Sequence, residues 1–272
     1  MTNGFMMGAL ALALAGGAMA QPANSQAPAP TPAPTPRVRA LKTAEEQKAL
    51  QTLMQADSPD AQIAAAEAFV VHHPHSDFKP LALLGEAQAY QKKGDYDHEI
   101  VFGELALDSD PDDGTKVQAL IFLANAIAAK TGEFDFDREE KLAKVEKYAT
   151  AALDLLKTMP KPNPALPDQA WAADKADMIG DAHVALGIDQ MSRKDYGKAI
   201  EEFRTAVETA KDPDAAAYVR LAAAYDKAGK YDEALAVCDK TLALPGLAPV
   251  VASAARSERE TALKMKGAAA KP

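Results

Sequence analysis

A short turn occurs three times in this chain, and it limits the possible folds more than any other feature. Its copies are Gly94-Asp95-Tyr96, Lys194-Asp195-Tyr196 and Gly229-Lys230-Tyr231. The last two tyrosines stand 35 positions apart, and each unit ends near a proline, at Pro111, Pro213 or Pro245. Apolar residues follow three- and four-residue spacing on both sides of each turn. This pattern predicts pairs of helices repeated along the chain.

The same helical periodicity continues from Thr43 almost to the C-terminus, with Gly, Pro or Asp at the breaks. Thr43-Ala44-Glu45-Glu46 has the form of a capping box, and Ser58-Pro59 is a typical helix start. We count eleven predicted helices, the last over 247–265, and no strand. The sequence therefore predicts an all-α fold.

These units resemble the tetratricopeptide repeat family. Its pattern has Leu, a small residue and an aromatic in the first helix, then Ala, an aromatic and Ala in the second. The best match is Leu186-Gly187, Ala199, Phe203 and Ala206; the next is Leu221-Ala222, Tyr225 and Ala234; the third is Ala87, Tyr90 and Ala106, with Glu99 and Gly103 departing from the pattern. The resemblance implies a right-handed superhelical solenoid of about five helical hairpins. It also implies a non-catalytic protein that binds other proteins.

Composition divides the chain into segments. We predict a signal peptide at 1–20, a Pro/Ala-rich disordered linker at 21–42 and N-terminal degenerate hairpins at 43–157. A Pro-rich connector follows at 158–167. The C-terminal region, 168–266, contains two repeats (about 180–213 and 215–245) and a capping helix, and a disordered tail follows at 267–272. The connector holds four prolines, at 160, 162, 164 and 167. One interpretation is that it divides the solenoid into two rigid halves.

The first twenty residues are typical of an export signal. Phe5–Ala15 is a short apolar run, and Ala18-Met19-Ala20 is a small-x-small cleavage pattern. We expect cleavage after Ala20 and a mature protein in the periplasm or extracellular space. Met1–Gly4 contains no Lys or Arg, so an uncleaved anchor or a different start codon remains the alternative.

Net charge and cysteine content exclude several classes of partner and site. The formal charge of -9 and pI near 5.1 disfavour nucleic acid and anionic membrane surfaces, which attract basic patches. After the export signal, no apolar stretch approaches the ~20 residues of a membrane span, so we expect no stable membrane insertion of the mature chain. Cys238 is the only cysteine. We predict an inert buried thiol; the alternative is a reactive or intermolecular one.

Candidate metal and catalytic groups are few. The acidic run 108–114 lacks the Gly and Glu positions of an EF-hand loop and instead predicts an Asp cap on the next helix. His72, His73 and His75 flank Pro74 at a helix end, where neighbouring imidazoles point apart. Phosphate-loop, nucleophile-elbow and HExxH patterns are missing from the sequence. We therefore predict no catalytic residue, metal or cofactor. An envelope enzyme with groups converging from distant positions, or a purely structural spacer, is the alternative.

A second acidic run, 133–140, contains Phe134 and Phe136 within a turn about eight residues longer than the family's usual unit. Charged residues at a helix start are usually solvated. The two aromatics either pack beneath the loop or face a partner, and packing is the more common arrangement.

In the family that these repeats resemble, the first helix of each pair lines a concave groove. That geometry implies a partner-binding surface of nine residues: Leu84, Gln88, Gln91, Val184, Ile188, Met191, Val219, Ala223 and Asp226. The lysines with which some family members bind acidic C-termini are replaced here by Leu84, Asp181 and Ala216. We therefore expect an apolar or amphipathic protein or peptide partner. The competing interpretation is that these residues only pack against the next repeat.

A narrower resemblance concerns Ala68–Ser76 followed by Leu84-Gly85 and Tyr90. This spacing is similar to repeats of periplasmic outer-membrane assembly and division-coordination proteins. It suggests a compartment more than a role.

Overall fold

The computed structural model describes residues 39–269. The predicted signal peptide, most of the predicted linker and the last three residues lie outside this range. Within it the chain forms eleven helices and no strand: α1 Ala44–Met54, α2 Pro59–His72, α3 Lys79–Lys93, α4 Tyr96–Asp108, α5 Asp113–Lys130, α6 Arg138–Thr158, α7 Asp168–Ser192, α8 Tyr196–Thr209, α9 Ala215–Lys227, α10 Tyr231–Leu242 and α11 Pro249–Ala269. The predicted all-α solenoid of helical hairpins is confirmed.

The three repeated turns have the same backbone structure. Gly94 and Gly229 adopt left-handed φ angles of 72° and 74°, and Lys194 adopts φ 62° at the corresponding place. In each turn the next amide donates to a carbonyl five residues earlier, at 3.0 Å for Asp95, 3.0 Å for Asp195 and 2.9 Å for Lys230. This is the Schellman arrangement, which satisfies free carbonyls at a helix end and reverses the chain. The repeated sequence therefore encodes a repeated hydrogen-bonded turn.

Side-chain caps fix where several helices start. The Thr43 hydroxyl accepts from the Glu46 amide at 3.0 Å, and the Ser58 hydroxyl accepts from the Ala61 amide at 3.2 Å. A carboxyl oxygen of Asp112 accepts from the Thr115 amide at 2.7 Å. The predicted Asp cap at the end of the acidic run 108–114 is therefore confirmed. Each cap satisfies an amide that has no partner within its own helix.

Small residues allow the paired helices to pack closely. A Cβ atom built on Gly187 of α7 would lie 2.5 Å from the Phe203 ring of α8. Phe203 is only 1% exposed and is the largest fully buried member of the core cluster formed by α7, α8 and α9. Successive hairpins also approach closely: between α4 and α5, a Cβ atom on Gly103 would lie 2.7 Å from the Leu123 side chain. The ring of Phe203 occupies the space left by the missing side chain at Gly187.

Helix packing continues across the Pro-rich connector. Helix α7 packs against both α5 and α6. Met159 at the start of the connector is buried in one cluster with Val117, Leu156 and Met178, and Trp171 packs on the same cluster. The interpretation of the connector as a division between two rigid halves is wrong, because the core on its two sides is shared.

The array ends at α11, which packs on α9 and α10. Arg259 Nε of α11 donates to Asp239 Oδ1 of α10 at 2.7 Å, and Lys266 pairs with Asp232. The exposed residues of α11 include Val250, Leu263 and Met265. No helix within residues 39–269 is long and apolar enough to span a membrane.

The Gly187–Phe203 contact gives a stability prediction. Gly187→Ala places a methyl group inside the contact distance of a buried ring, so we expect a loss of about 1–3 kcal/mol in the free energy of unfolding. The matched control is Gly197→Ala on α8, where the nearest atom to a new Cβ lies 3.7 Å away. That control should be neutral or slightly stabilising, because alanine favours helix. Chemical denaturation of the three proteins is the measurement, and equal stability of wild type and Gly187→Ala would contradict this packing.

Candidate functional site

The nine predicted groove residues differ in their exposure. Leu84 is 1% exposed and Val184 is 8% exposed, and both belong to core clusters. Asp226 is also 8% exposed, whereas Gln91 is exposed and the other five are half-buried: Gln88, Ile188, Met191, Val219 and Ala223. Leu84 and Val184 therefore pack in the core, as the competing interpretation predicts.

Four of the remaining residues come from α7 and α9 and share one region of the fold. We call Ile188, Met191, Val219 and Ala223 the apolar strip. Ile188 and Met191 also pack against the Phe203 core cluster, to which α9 contributes buried residues. Val219 and Ala223 stand outside the cluster and are partly accessible. The strip is therefore a half-buried apolar surface on the two C-terminal repeats.

Gln88 and Gln91 lie elsewhere, on α3, and α5 separates them from α7. The Gln91 amide nitrogen donates to Glu99 Oε1 at 3.2 Å. Gln91 therefore already serves a carboxylate of its own hairpin.

Carboxylates flank the apolar strip at both ends. On α7, Asp181 lies near Asp177 and Asp214, and burial together with these two charges raises the pKa of Asp181 to about 7. On α9, Asp226 lies near Glu258 of α11, whose pKa is raised first by burial and then by Asp226. Within residues 39–269, Lys227 is the one lysine that acts on the Asp226–Glu258 pair, and the carboxylates outnumber it, so the electrostatics disfavour an acidic ligand.

Two further carboxylates are buried in the α3–α4 hairpin. Glu86 and Glu99 are 1% and 0% exposed. Glu86 Oε1 and Glu99 Oε2 have no hydrogen-bond partner among residues 39–269. Burial is the main cause that raises the pKa of each to about 7. Burial of Glu99 could be predicted from the sequence, because Glu99 replaces a small residue of the family pattern.

The long turn between α5 and α6 is anchored to the neighbouring repeat. Lys194 Nζ lies 2.9 Å from Glu133 Oε1, and Arg193 Nη1 lies 2.7 Å from Glu139 Oε2. Phe134 and Phe136 are nevertheless 91% and 111% exposed. The interpretation that these aromatics pack beneath the loop is wrong; both rings face outward.

The remaining candidate sites contain no reactive cluster in the described part of the chain. No group of three or more His, Cys, Asp or Glu side chains within residues 39–269 could hold a metal ion. Cys238 is 1% exposed, as predicted, and burial raises the pKa of its thiol to about 11. The thiol is therefore protonated at neutral pH.

A family model for the tetratricopeptide repeat matches residues 184–249, which contain most of α7 together with α8, α9 and α10. Over these residues the chain matches the tetratricopeptide repeat. Its fold supports a role as a scaffold for protein–protein interaction.

Several solved structures of tetratricopeptide repeat (TPR) and other proteins are similar to this chain. A thermophilic TPR protein of Thermus thermophilus has 22% identity and a TM-score of 0.49, over 80% of this chain and 99% of that one. The MamA protein has 18% identity and a TM-score of 0.48, over 72% and 90% of the two chains. An assembly chaperone of RpL4 has 14% identity and a TM-score of 0.39, over 83% and 98%. No curated protein matches this chain.

The buried carboxylates give a prediction for pH dependence. Because the pKa of Glu86 and Glu99 is raised on folding, their protonated forms favour the folded state fully below about pH 4.5, and this contribution is lost as pH rises through about 7. At pH 8, Glu86→Gln/Glu99→Gln should therefore be more stable than wild type by about 1–3 kcal/mol.

Thermal melts at pH 5 and pH 8 test this prediction. The wild type should melt at a lower temperature at pH 8 than at pH 5. The melting temperature of the double variant should fall less between these two pH values. Glu201→Gln, on the exposed face of α8, is the control for removing a surface charge. An equal fall in melting temperature in the wild type and the double variant would show that Glu86 and Glu99 do not cause the pH dependence.

Proposed function

We propose that this protein is a non-catalytic binding protein of the cell envelope, and that its concave groove holds an apolar or amphipathic segment of a partner. The observation that carries the proposal is the apolar strip on α7 and α9. Its members are half-buried, and two of them take no part in the Phe203 core cluster. Apolar side chains at helical spacing are suited to a helix that lies in a groove.

The strip also has adaptable contacts. Met191 is unbranched and half-buried, so its side chain can adjust to the shape of a ligand. Ile188 and Val219 are β-branched and hold fixed rotamers, which gives the surface a defined shape. Such a mixture is suited to a short peptide segment more than to a flat globular surface.

The envelope location is supported by the first twenty residues, with their apolar run and the Ala18-Met19-Ala20 pattern. Outer-membrane assembly or division coordination is a narrower role of the same class. A purely structural spacer would hold no peptide in the groove.

The groove prediction uses a matched pair of substitutions. Ala223→Asp places a charge in the apolar strip, whereas Ala236→Asp places the same charge on the exposed face of α10. Peptides are first selected on the full chain from a phage-displayed random library. Ala223→Asp should weaken the binding of the selected peptides about tenfold or more, because the charge must lose water against an apolar ligand.

Fluorescence anisotropy measures the affinities, and circular-dichroism melts verify that both variants stay folded. Ala236→Asp should bind as the wild type does. If Ala223→Asp is folded and its affinity is unchanged, the strip is not the peptide site. Ile188→Asp is a less informative variant, since Ile188 packs on the core.

Export is tested separately. In cells that express the full chain, the mature protein should begin at Gln21, because the apolar run and small residues direct cleavage after Ala20. Intact mass and N-terminal sequencing of the envelope fraction give the answer. Recovery of an uncleaved chain from the cytoplasm would contradict the envelope proposal and leave the groove proposal intact.

A further inference from the structure

Asp226 is placed unfavourably for a carboxylate that has only a structural role. It is 8% exposed, and its Oδ1 atom has no hydrogen-bond partner within the described chain, 39–269. It is the penultimate residue of α9, where the helix dipole disfavours negative charge. A buried charge without a partner costs free energy, so its retention needs a reason.

A second carboxylate adds to this local negative charge. Glu258 of α11 is half-buried, and the charge of Asp226 contributes to raising its pKa. Among residues 39–269, Lys227 is the cation that acts on Glu258, and it lowers that pKa. It follows Asp226 in the chain and is itself exposed. A cation brought from outside would relieve the repulsion between the two carboxylates.

The position of this pair relates it to the groove. Ala223 precedes Asp226 by three residues on α9, and Val219 precedes it by seven, so the three residues lie along one side of the helix. At 1.5 Å per residue, the carboxylate lies ~10 Å along the helix axis from Val219. The pair is therefore a charged end of the apolar strip.

We propose that the Asp226–Glu258 pair binds the guanidinium or ammonium group of a basic side chain, so that the groove selects an apolar segment carrying Arg or Lys near one end. This inference rests on the proposed groove function and specifies its partner. A planar guanidinium can bond to two carboxylates at once, which favours Arg over Lys.

The surrounding charges agree with a basic partner. Asp177, Asp181 and Asp214 are near one another toward the other end of the strip, so both ends are acidic. The whole chain carries a formal charge of -9, which would attract a basic segment over long range. A metal ion fits the pair less well, because the two carboxylates belong to no group of three ligating side chains within residues 39–269.

The test uses the peptides selected on the full chain from the phage-displayed random library. Enriched sequences should contain Arg or Lys beside apolar residues at helical spacing. For one selected peptide, replacing its Arg by Gln should weaken binding to wild type about tenfold. The same replacement should have little effect on Asp226→Asn or Glu258→Gln, because the coupling partner is then missing. Glu208→Gln, an exposed change on α8, is the control for net charge and should behave as wild type.

Stability provides a second readout. If Asp226 is kept for binding, Asp226→Asn should raise the melting temperature of the free protein while it weakens peptide binding, since repulsion with Glu258 is removed. A structural carboxylate would give a lower melting temperature.

The failures of the two proposals differ. Enriched peptides that need Ala223 but contain no basic residue would overturn the cation site and keep the groove. The cation site would also be overturned if the Arg→Gln change in the peptide reduced its affinity equally for the wild type and for Asp226→Asn. Absence of any enriched peptide, or binding that ignores Ala223→Asp, would overturn the groove itself and this inference with it.

Discussion

Close approach between the two helices of a hairpin is the constraint on which this structure depends. Phe203 can be buried only because Gly187 leaves space for its ring. Once the ring is in place, α9 packs against it, and the neighbouring first helix is set at a fixed distance. The spacing of the half-buried residues on α7 and α9 therefore follows from a contact between a glycine and a ring beneath them.

Local chemistry explains why the repeats could be predicted from the sequence. The turns at Gly94 and Gly229 need a left-handed residue, and glycine supplies it without steric cost. Lys194 takes the same conformation, so the recurring pattern of the turn predicted this copy although its glycine is missing. The caps at Thr43 and Ser58 depend on residues within three positions. Interactions of such short range can be predicted from the sequence alone.

Features that depend on distant parts of the chain could not be predicted in this way. The prolines at 160–167 suggested a division, but packing of Trp171 and Met178 with Leu156 joins the two sides. Leu84 and Val184 occupy groove positions by alignment and core positions by burial, because neighbouring helices cover them. Phe134 and Phe136 in the α5–α6 turn are exposed, while Glu133 beside them pairs with Lys194 of a distant turn. Alignment predicts which residues are equivalent, but it does not predict which of them a neighbouring helix covers.

The position of Cys238 has a practical consequence. This single thiol lies in α10, is 1% exposed, and is near charged groups of α11. A thiol reagent can reach it only when the helices packed around it separate. The rate of alkylation in the native protein therefore reports how often the last hairpin opens, and its dependence on denaturant shows whether that opening is local or global. The chain thus contains a built-in reporter of fraying at one end.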